Sequence, residues 1–532
     1  MKLPKEEYQA LEDIVGPEYI SQDPVIMDTY NQVWGNKLFF GEKHSMRPAA
    51  VLLPANTGEI QAIVKVCNRY GILFKPFSSG FEFVATALEK EKGILLDLKR
   101  MNHILEIDAK NMHALVEPYV PIYRLQMEAA KHGLYYGRVG VGYSAGVIAT
   151  SCCHHGAGET SVSTSYGGRN VLGVEWVLPT GELLKLGTCG AGDGWFSTYG
   201  PGFSLRGILR GRGGANGGHG VITKASVKLY PWYGPPEWEQ VREAGEPLSR
   251  GHIEKVLDGY KVFILTFPTM DNMMDACVEI AQAEVAYLIS PGDAWTQPVP
   301  PGNDEAWAAA QKVTPEAKET IERSLTVIIG NSSNRALAYR EKCVLVISEK
   351  WGGKLLPQFN QPNGLAQSFL THIWSIGIMA LRATGDFWVG PGLDCSQGMI
   401  RTEMPIEDEA MAPYMKSGAF HLMRKRLVIY HPVENHSIGG HGGQGYFYDP
   451  NDPASLEATR KYTNETFDPQ GKFRSYGVPT YGGILQIESI NHIHQNWGPL
   501  YDHYDIWLRK IKKMLDPNNV ADWLGYIPPE YS

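Results

Sequence analysis

Cysteine is sparse and scattered in this 532-residue chain: seven residues (Cys67, Cys152, Cys153, Cys189, Cys277, Cys343, Cys395) with no Cys-x-x-Cys pair. Zinc ribbons and cysteine-ligated iron–sulfur clusters are thereby excluded. The adjacent Cys152 and Cys153 read as small buried residues rather than a redox couple. A basic excess is also missing, since 49 Lys and Arg face 57 Asp and Glu for a net charge of -8. Nucleic acid is therefore not the expected partner. No run of about 18 apolar residues appears, so no transmembrane helix is expected. The start, MKLPKEEYQALEDIVG, is charged and amphipathic without the apolar core of a secretory leader, which points to the cytoplasm. Internal repeats and low-complexity tracts are absent as well.

What the chain does have is glycine (58) and aromatics (13 Trp, 27 Tyr, 17 Phe), within a 43% hydrophobic and 20% charged composition. The composition is that of a globular protein, and the length exceeds what one hydrophobic core serves, so two or more domains are expected. The glycines concentrate in residues 140–188, where a run of small residues precedes the apolar Val171–Leu178 and the turn Pro179-Thr180-Gly181-Glu182. Glycine lets a backbone take positive φ and lets a flat ligand approach the main chain. The segment reads as a nucleotide-lining wall that turns into a hairpin.

Around it the patterns alternate. Ala49–Leu53 reads as a strand, Asn56 with Glu59 as a helix cap, and Ile60, Ile63, Val64 and Cys67 as the buried face of a helix stopping at Gly71. Strands are expected at 72–76, 94–98 and 113–117, and a helix from Pro121 to His132. From Gly142 to about Tyr230 short strands between glycine turns are expected, ending in a half-buried strand about Val227. Beyond the Pro- and Trp-rich stretch 231–247, helices at 272–283, 315–324 and 334–350 alternate with strands at 262–267, 325–329 and 427–430. A final helix runs from Tyr504 to Leu515. These patterns predict an α+β protein.

Ordered along the chain, four stretches resemble the vanillyl-alcohol oxidase / p-cresol methylhydroxylase superfamily. They are Arg47–Pro54 with Glu59–Val64, then Lys75-Pro76-Phe77-Ser78-Ser79-Gly80 with Gly93–Met101, the wall 140–188, and Gly218-His219-Gly220-Val221-Ile222-Thr223-Lys224; Leu515–Asn519 resembles the family's return to the flavin domain. The resemblance implies a two-subdomain FAD-binding domain (1–240), a substrate-binding α+β cap with an antiparallel sheet (241–495), and a C-terminal return (496–532). It implies FAD as cofactor, held by Pro76, Ser78, Ser79, Gly80, Gly142, Ser144, Gly146, Thr150, His155, Gly156, Tyr166, Gly167, Gly220, Val221 and Ile222. Ser78-Ser79-Gly80 supplies the converging N–H donors, free of bulk, that a pyrophosphate needs. Where the family usually continues with small residues, this chain has Phe81-Glu82-Phe83-Val84, and no loop histidine is there for covalent flavin attachment.

The family oxidises a C–H beside an oxygen or at a benzylic position by hydride transfer to flavin N5. A 2-hydroxy acid needs a base and a cation; a phenol needs donors for its phenolate. Tyr481, His431 and His436 are the proton-transfer candidates, with His441 beside them. Arg382 and Arg401 are the anion-binding candidates, each of which has pairing with a carboxylate as its ordinary alternative. Tyr481 matches the phenol branch, but a glycine stands where that branch has arginine. The His431/His436/His441 segment lacks the compact metal motif of the D-lactate and glycolate dehydrogenase branch, so no metal is assigned. Gly440-His441-Gly442-Gly443-Gln444-Gly445 satisfies G-x-G-x-x-G, yet the strand-like Tyr446-Phe447-Tyr448 after it speaks against a dinucleotide fold. The expected protein is an FAD-dependent oxidase or dehydrogenase for an alcohol, 2-hydroxy acid or phenolic substrate, homo-oligomeric, passing electrons to oxygen or a protein acceptor. Its rivals are a flavin-adduct synthase of the alkyl-dihydroxyacetone-phosphate type and a non-catalytic flavin-fold subunit.

Overall fold

The computed structural model describes residues 2–30, 47–80, 86, 88–90, 92–137, 143–153, 156, 158–192, 194–197, 205–210, 218–238, 253–291, 315–374, 387–389, 393–422, 439–442, 445–449, 451–468, 470–471 and 498–523. The first sheet is built by β1 (Ile20–Ser21), β2 (Ala50–Leu52), β3 (Leu73–Phe77) and β4 (Gly93–Asp97) in the order β1-β2-β4-β3, with β2, β4 and β3 parallel. Parallel strands need a crossover, and the Thr57–Tyr70 helix supplies it. Asn56 Oδ1 accepts from Glu59 N at 3.0 Å, while Glu59 accepts from Ala55 N at 2.8 Å. Gly71 ends the helix at φ 62°, and Ile60, Ile63, Val64 and Cys67 are fully buried against the sheet, as the sequence spacing demands. Each such side chain contributes about 1.5–3 kcal/mol of burial.

A second, antiparallel sheet holds β5 (Ile104–Asp108), β6 (His113–Val116), β8 (Val171–Val177), β9 (Leu183–Leu186) and β10 (Val221–Lys228); β7 (Leu134–Tyr135) pairs separately with β11 (Tyr230–Pro231). The order is β5-β6-β10-β8-β9. β10 is therefore central, and all its residues are buried except the half-buried Lys224 and the exposed Lys228. The half-buried alternation expected from Val227 is present, with Lys228 exposed between buried Val227 and Leu229; upstream of it Ala225 and Ser226 are both buried. Glu175 on β8 accepts from Thr57 at 2.7 Å and Lys224 at 2.9 Å, linking the two sheets' elements.

The third sheet, β13 (Leu288–Pro291), β14 (Ser324–Gly330), β12 (Tyr260–Thr266) and β15 (Lys354–Leu355), is antiparallel. Odd residues of β12 (Phe263, Leu265) face a core with the Met270–Gln282 and Asn334–Lys350 helices. Even ones (Val262, Ile264) face a core with the Pro362–Trp374 helix. Helices on both faces explain why β12 reads as a nearly continuous apolar run. The strand expected at 427–430 lies outside the described residues.

The chain then returns. The Tyr504–Leu515 helix ends at Asp516, and Phe74 N donates to Val520 O at 2.9 Å while Asp522 N donates to Phe74 O at 2.9 Å. The buried Lys512 ammonium bridges Asp516 (2.5 Å), Gly218 O (2.6 Å) and Ala521 O (2.9 Å). Buried Lys75 meets Asp522 at 3.3 Å. Removing one partner of such a buried pair would leave an uncompensated charge in the interior. No helix among the described residues is long and apolar enough to cross a membrane.

Candidate flavin site

The wall is not a set of short strands. Between Tyr143 and Asn170 the described backbone forms turns: a π turn at Ala149–Cys153, a helical turn at Ser161–Thr164 and a 3-10 turn at Gly167–Arg169, with strand geometry starting only at Val171. Small residues permit this because each turn is packed against backbone. Gly156 has φ 64°, and a Cβ there would lie 2.4 Å from Thr150 O and 3.2 Å from Gly167 Cα. Gly167 N donates to Gly156 O at 3.0 Å. Thr150 N and Oγ1 both reach Gly146 O, at 3.0 and 2.9 Å.

The expected pyrophosphate loop meets this wall directly. Ser79 Oγ accepts from Gly146 N at 3.0 Å, and the Ser78 hydroxyl lies 3.6 Å from where a Gly146 Cβ would sit. Gly80 has φ 71°, the left-handed conformation that glycine tolerates. Ala145 O and Tyr143 O accept from Ile122 N and Tyr123 N, both at 2.9 Å, so the wall is tied to the first turn of the Ile122–Ala130 helix. Gly220 takes φ 101°, where a Cβ would overlap Val177 O at 2.2 Å, and this glycine feeds Val221 and Ile222 into the central strand.

On its other side the wall docks onto the third sheet. Ile289 N donates to Glu159 O at 3.2 Å, and Ser163 Oγ donates to Tyr287 O at 2.7 Å. An aromatic cluster fills this seam: Tyr135 OH and Tyr143 OH are 2.7 Å apart, and Tyr135 stacks on Trp232 and contacts Tyr287. Burial pushes the Tyr136 hydroxyl, bonded to Ser151, up to about 12. Cys152 is fully buried and its thiol is pushed well up by desolvation, which suits a packing role.

The group the sequence implies is FAD, and the residues fit it. In the backbone knot at Thr150, Gly156 and Gly167 main chain packs on main chain, leaving no room for a side chain at either glycine. Next to it Ser165 holds a positive φ of 59°, with its hydroxyl oxygen buried and unpartnered. A non-glycine residue in that conformation is uncommon, and a buried unmade hydrogen bond is costly. Both are features of a surface shaped toward a polar ligand.

Of the expected cofactor residues, Pro76, Ser78, Ser79, Gly80, Ser144, Gly146, Thr150, Gly156, Tyr166, Gly167, Gly220, Val221 and Ile222 are described, while Gly142 and His155 lie outside the described residues. Tyr166 carries the Arg169 guanidinium over its ring at 5.0 Å. Of the expected catalytic residues, Tyr481, His431, His436 and Arg382 also lie outside the described residues. Arg401 takes its ordinary alternative, an ion pair: its guanidinium meets Asp275 at 2.5 Å and Asp271 at 3.3 Å on the Met270–Gln282 helix. Gly439–Gly442 pairs as a strand with Leu393–Ser396, and Gly445 begins another strand, so the G-x-G-x-x-G run opens no helix.

The sequence reading missed one constellation. Glu403 and Glu407 are fully buried one helical turn apart in the Gln397–Ser417 helix. Desolvation, then the neighbouring Glu407, pushes the Glu403 carboxyl well above the usual range, and neither of its oxygens is hydrogen-bonded. The available signal was Glu407 standing in the i, i+3, i+7 stripe of Met404 and Met411, both buried.

Comparison with known proteins agrees with this geometry. An FAD binding domain family matches residues 48–187. An FAD-linked oxidoreductase of Mycobacterium tuberculosis is 29% identical over 35% of this chain and 38% of its own length. The glycolate oxidase subunit GlcD of Bacillus subtilis is 28% identical over 36% and 38%. The chain thus spans under two fifths of the length of these relatives. Fold similarity extends much further. The structure of p-cresol methylhydroxylase with substrate bound aligns with 97% of this chain and 95% of its own at a TM-score of 0.70 and 16% identity. That of 4-ethylphenol oxidase from Gulosibacter chungangensis aligns with 99% and 97% at 0.71 and 17%. Alkyldihydroxyacetonephosphate synthase aligns with 98% and 84% at 0.63 and 15%. The chain thus carries an FAD binding domain at residues 48–187, and over nearly its whole length it has the fold of p-cresol methylhydroxylase and 4-ethylphenol oxidase.

Proposed function

We propose that this chain is an FAD-dependent oxidoreductase that oxidises an alcohol, 2-hydroxy acid or phenolic substrate and passes the electrons to oxygen or a protein acceptor. The observation that carries the reading is the seam: one glycine-rich wall bonds to Ser79 on one side and to the third sheet at Tyr287 and Ile289 on the other. A flavin held there has one edge on the FAD domain and one ring face toward the cap, where a substrate can be enclosed. Bound FAD supplies a hydride acceptor at N5.

The chain's own residues would then divide the work. The Ser78, Ser79 and Gly80 amides, with the turn at Ser144 and Gly146, would hold the pyrophosphate. Thr150, Gly156, Ser165, Tyr166 and Gly167 would line the ring system, and Gly220, Val221 and Ile222 would close the site from behind. Tyr481, His431 and His436 are proposed to take the substrate hydroxyl proton, and Arg382 to hold a carboxylate or phenolate. Arg401 is already neutralised by two aspartates, which removes much of its pull on a substrate anion. Glycolate oxidase and D-lactate dehydrogenase among the sequence relatives, and phenol oxidases among the fold relatives, support those substrate classes. The test is anaerobic mixing of the FAD-loaded protein with 2-hydroxy acids, alcohols and 4-alkylphenols. Bleaching of the flavin band by one class assigns the substrate; a loaded protein bleached by none of them, yet by dithionite, would refute the oxidoreductase reading.

A further inference from the structure

We infer a divalent-metal site on the edge hairpin β5–β6, formed by Glu106, Asp108 and His113. The register produces it. Asp108 pairs directly with His113 across the ladder, and Glu106, two residues earlier, points to the same face. The carboxylate oxygens and the imidazole nitrogen all lie within 4.8 Å of one another. No hydrogen bond joins the imidazole to either carboxylate among the described residues. Three ligand atoms that close can converge on one ion.

The imidazole carries the second observation. His113 is only 4% exposed, and its Nδ1 is buried without a hydrogen-bond partner. An unpartnered buried ring nitrogen is costly to keep, and a metal bond satisfies it. Asp108 is already oriented for such a role. Its two oxygens accept from Asn111 N at 2.8 Å and Asn111 Nδ2 at 2.7 Å, which holds its carboxyl below the usual range and leaves lone pairs free. Ligating carboxylates are commonly fixed by such outer hydrogen bonds. β5 is the sheet edge and Glu106 is exposed, so an ion has a path in and water can complete the coordination. The neighbouring cation, Lys228, is paired with His113 in the ladder, but its ammonium lies over the Tyr230 ring at 4.6 Å. One imidazole with two carboxylates favours Mn2+ or Zn2+ over Mg2+.

The site lies in the FAD domain and is independent of the histidines His431, His436 and His441. Tag-free, chelator-treated holoprotein titrated with Mn2+, followed by electron paramagnetic resonance and calorimetry, tests it. One ion per chain should bind, and E106Q and H113Q should each weaken binding at least ~10-fold with flavin content unchanged. E106Q alters an exposed side chain, so it decides the matter even if H113Q folds poorly. Absence of saturable Mn2+ and Zn2+ binding, or binding that E106Q leaves unaltered, overturns the site.

Discussion

Gly156→Ala probes the wall most sharply. At φ 64° an alanine pays the left-handed penalty, about 1–2 kcal/mol. Its Cβ would also stand 2.4 Å from Thr150 O, a backbone atom, so the π turn at 149–153 must shift. Overpacking of this kind costs about 1–3 kcal/mol more, for a total on the order of 2–5 kcal/mol. Gly192→Ala separates the two contributions, because Gly192 has φ 83° but no atom within 4 Å of the added carbon. Both variants carry the strain, and only G156A displaces the wall. The assays are thermal unfolding and the flavin-to-protein ratio after dialysis against graded FAD. G156A should unfold at lower temperature than G192A and bind FAD at least ~10-fold more weakly, since 1.4 kcal/mol is one decade. G192A should retain wild-type FAD affinity. Equal FAD affinity in G156A and wild type would refute the assignment of this turn to the flavin.

His219 is buried beside Lys512, and desolvation first, then that cation, lowers it to about 3. Its folded value lies below the unfolded one, so its contribution is present above pH 6.5 and is lost as pH falls toward 3, on the order of 5 kcal/mol in all. H219Q should flatten the acid limb of the melting-temperature profile in that window; an unchanged limb would contradict the burial argument. Lys512→Met leaves Asp516 as a buried charge held by the Val520 and Ala521 amides, and should cost about 3–5 kcal/mol in urea unfolding, with earlier proteolysis near the C-terminus. The raised Glu403 carboxyl destabilises the fold as it ionises, so stability falls as pH rises past the ordinary carboxylate range. E403Q should melt above wild type at pH 8, with the gain shrinking toward pH 5; a gain that is constant with pH would exclude ionisation as the cause. R401A should cost only about 0.2–1 kcal/mol, because the pair is partly exposed, and should leave substrate-driven flavin reduction within a few-fold.

Local rules made much of the fold legible. Asn56, Glu59 and Gly71 bracket one helix by capping chemistry alone, and the Asn334–Lys350 and Tyr504–Leu515 helices fall where periodicity puts them. The order of glycine-rich stretches named the cofactor domain because backbone approach is written locally, as at Gly156 and Gly220. What was misread depends on tertiary position. Small residues in 143–170 fit turns as readily as strands. Arg401 finds Asp275 across 126 residues of sequence, and Glu403 owes its perturbation to burial, neither of which a linear pattern records. Asp108 and His113 are separated by only a hairpin, yet their shared face depends on a register that the turn sets.

The central claim is that the wall from Tyr143 to Asn170 holds FAD against a redox-competent cap. FAD reconstitution of the purified protein, followed by its visible spectrum and a single anaerobic addition of substrate, tests this most directly. Stoichiometric flavin bands should appear, bleach with a 2-hydroxy acid, alcohol or 4-alkylphenol, and return with oxygen or an added acceptor. Protein that stays folded yet acquires no flavin absorbance would contradict it.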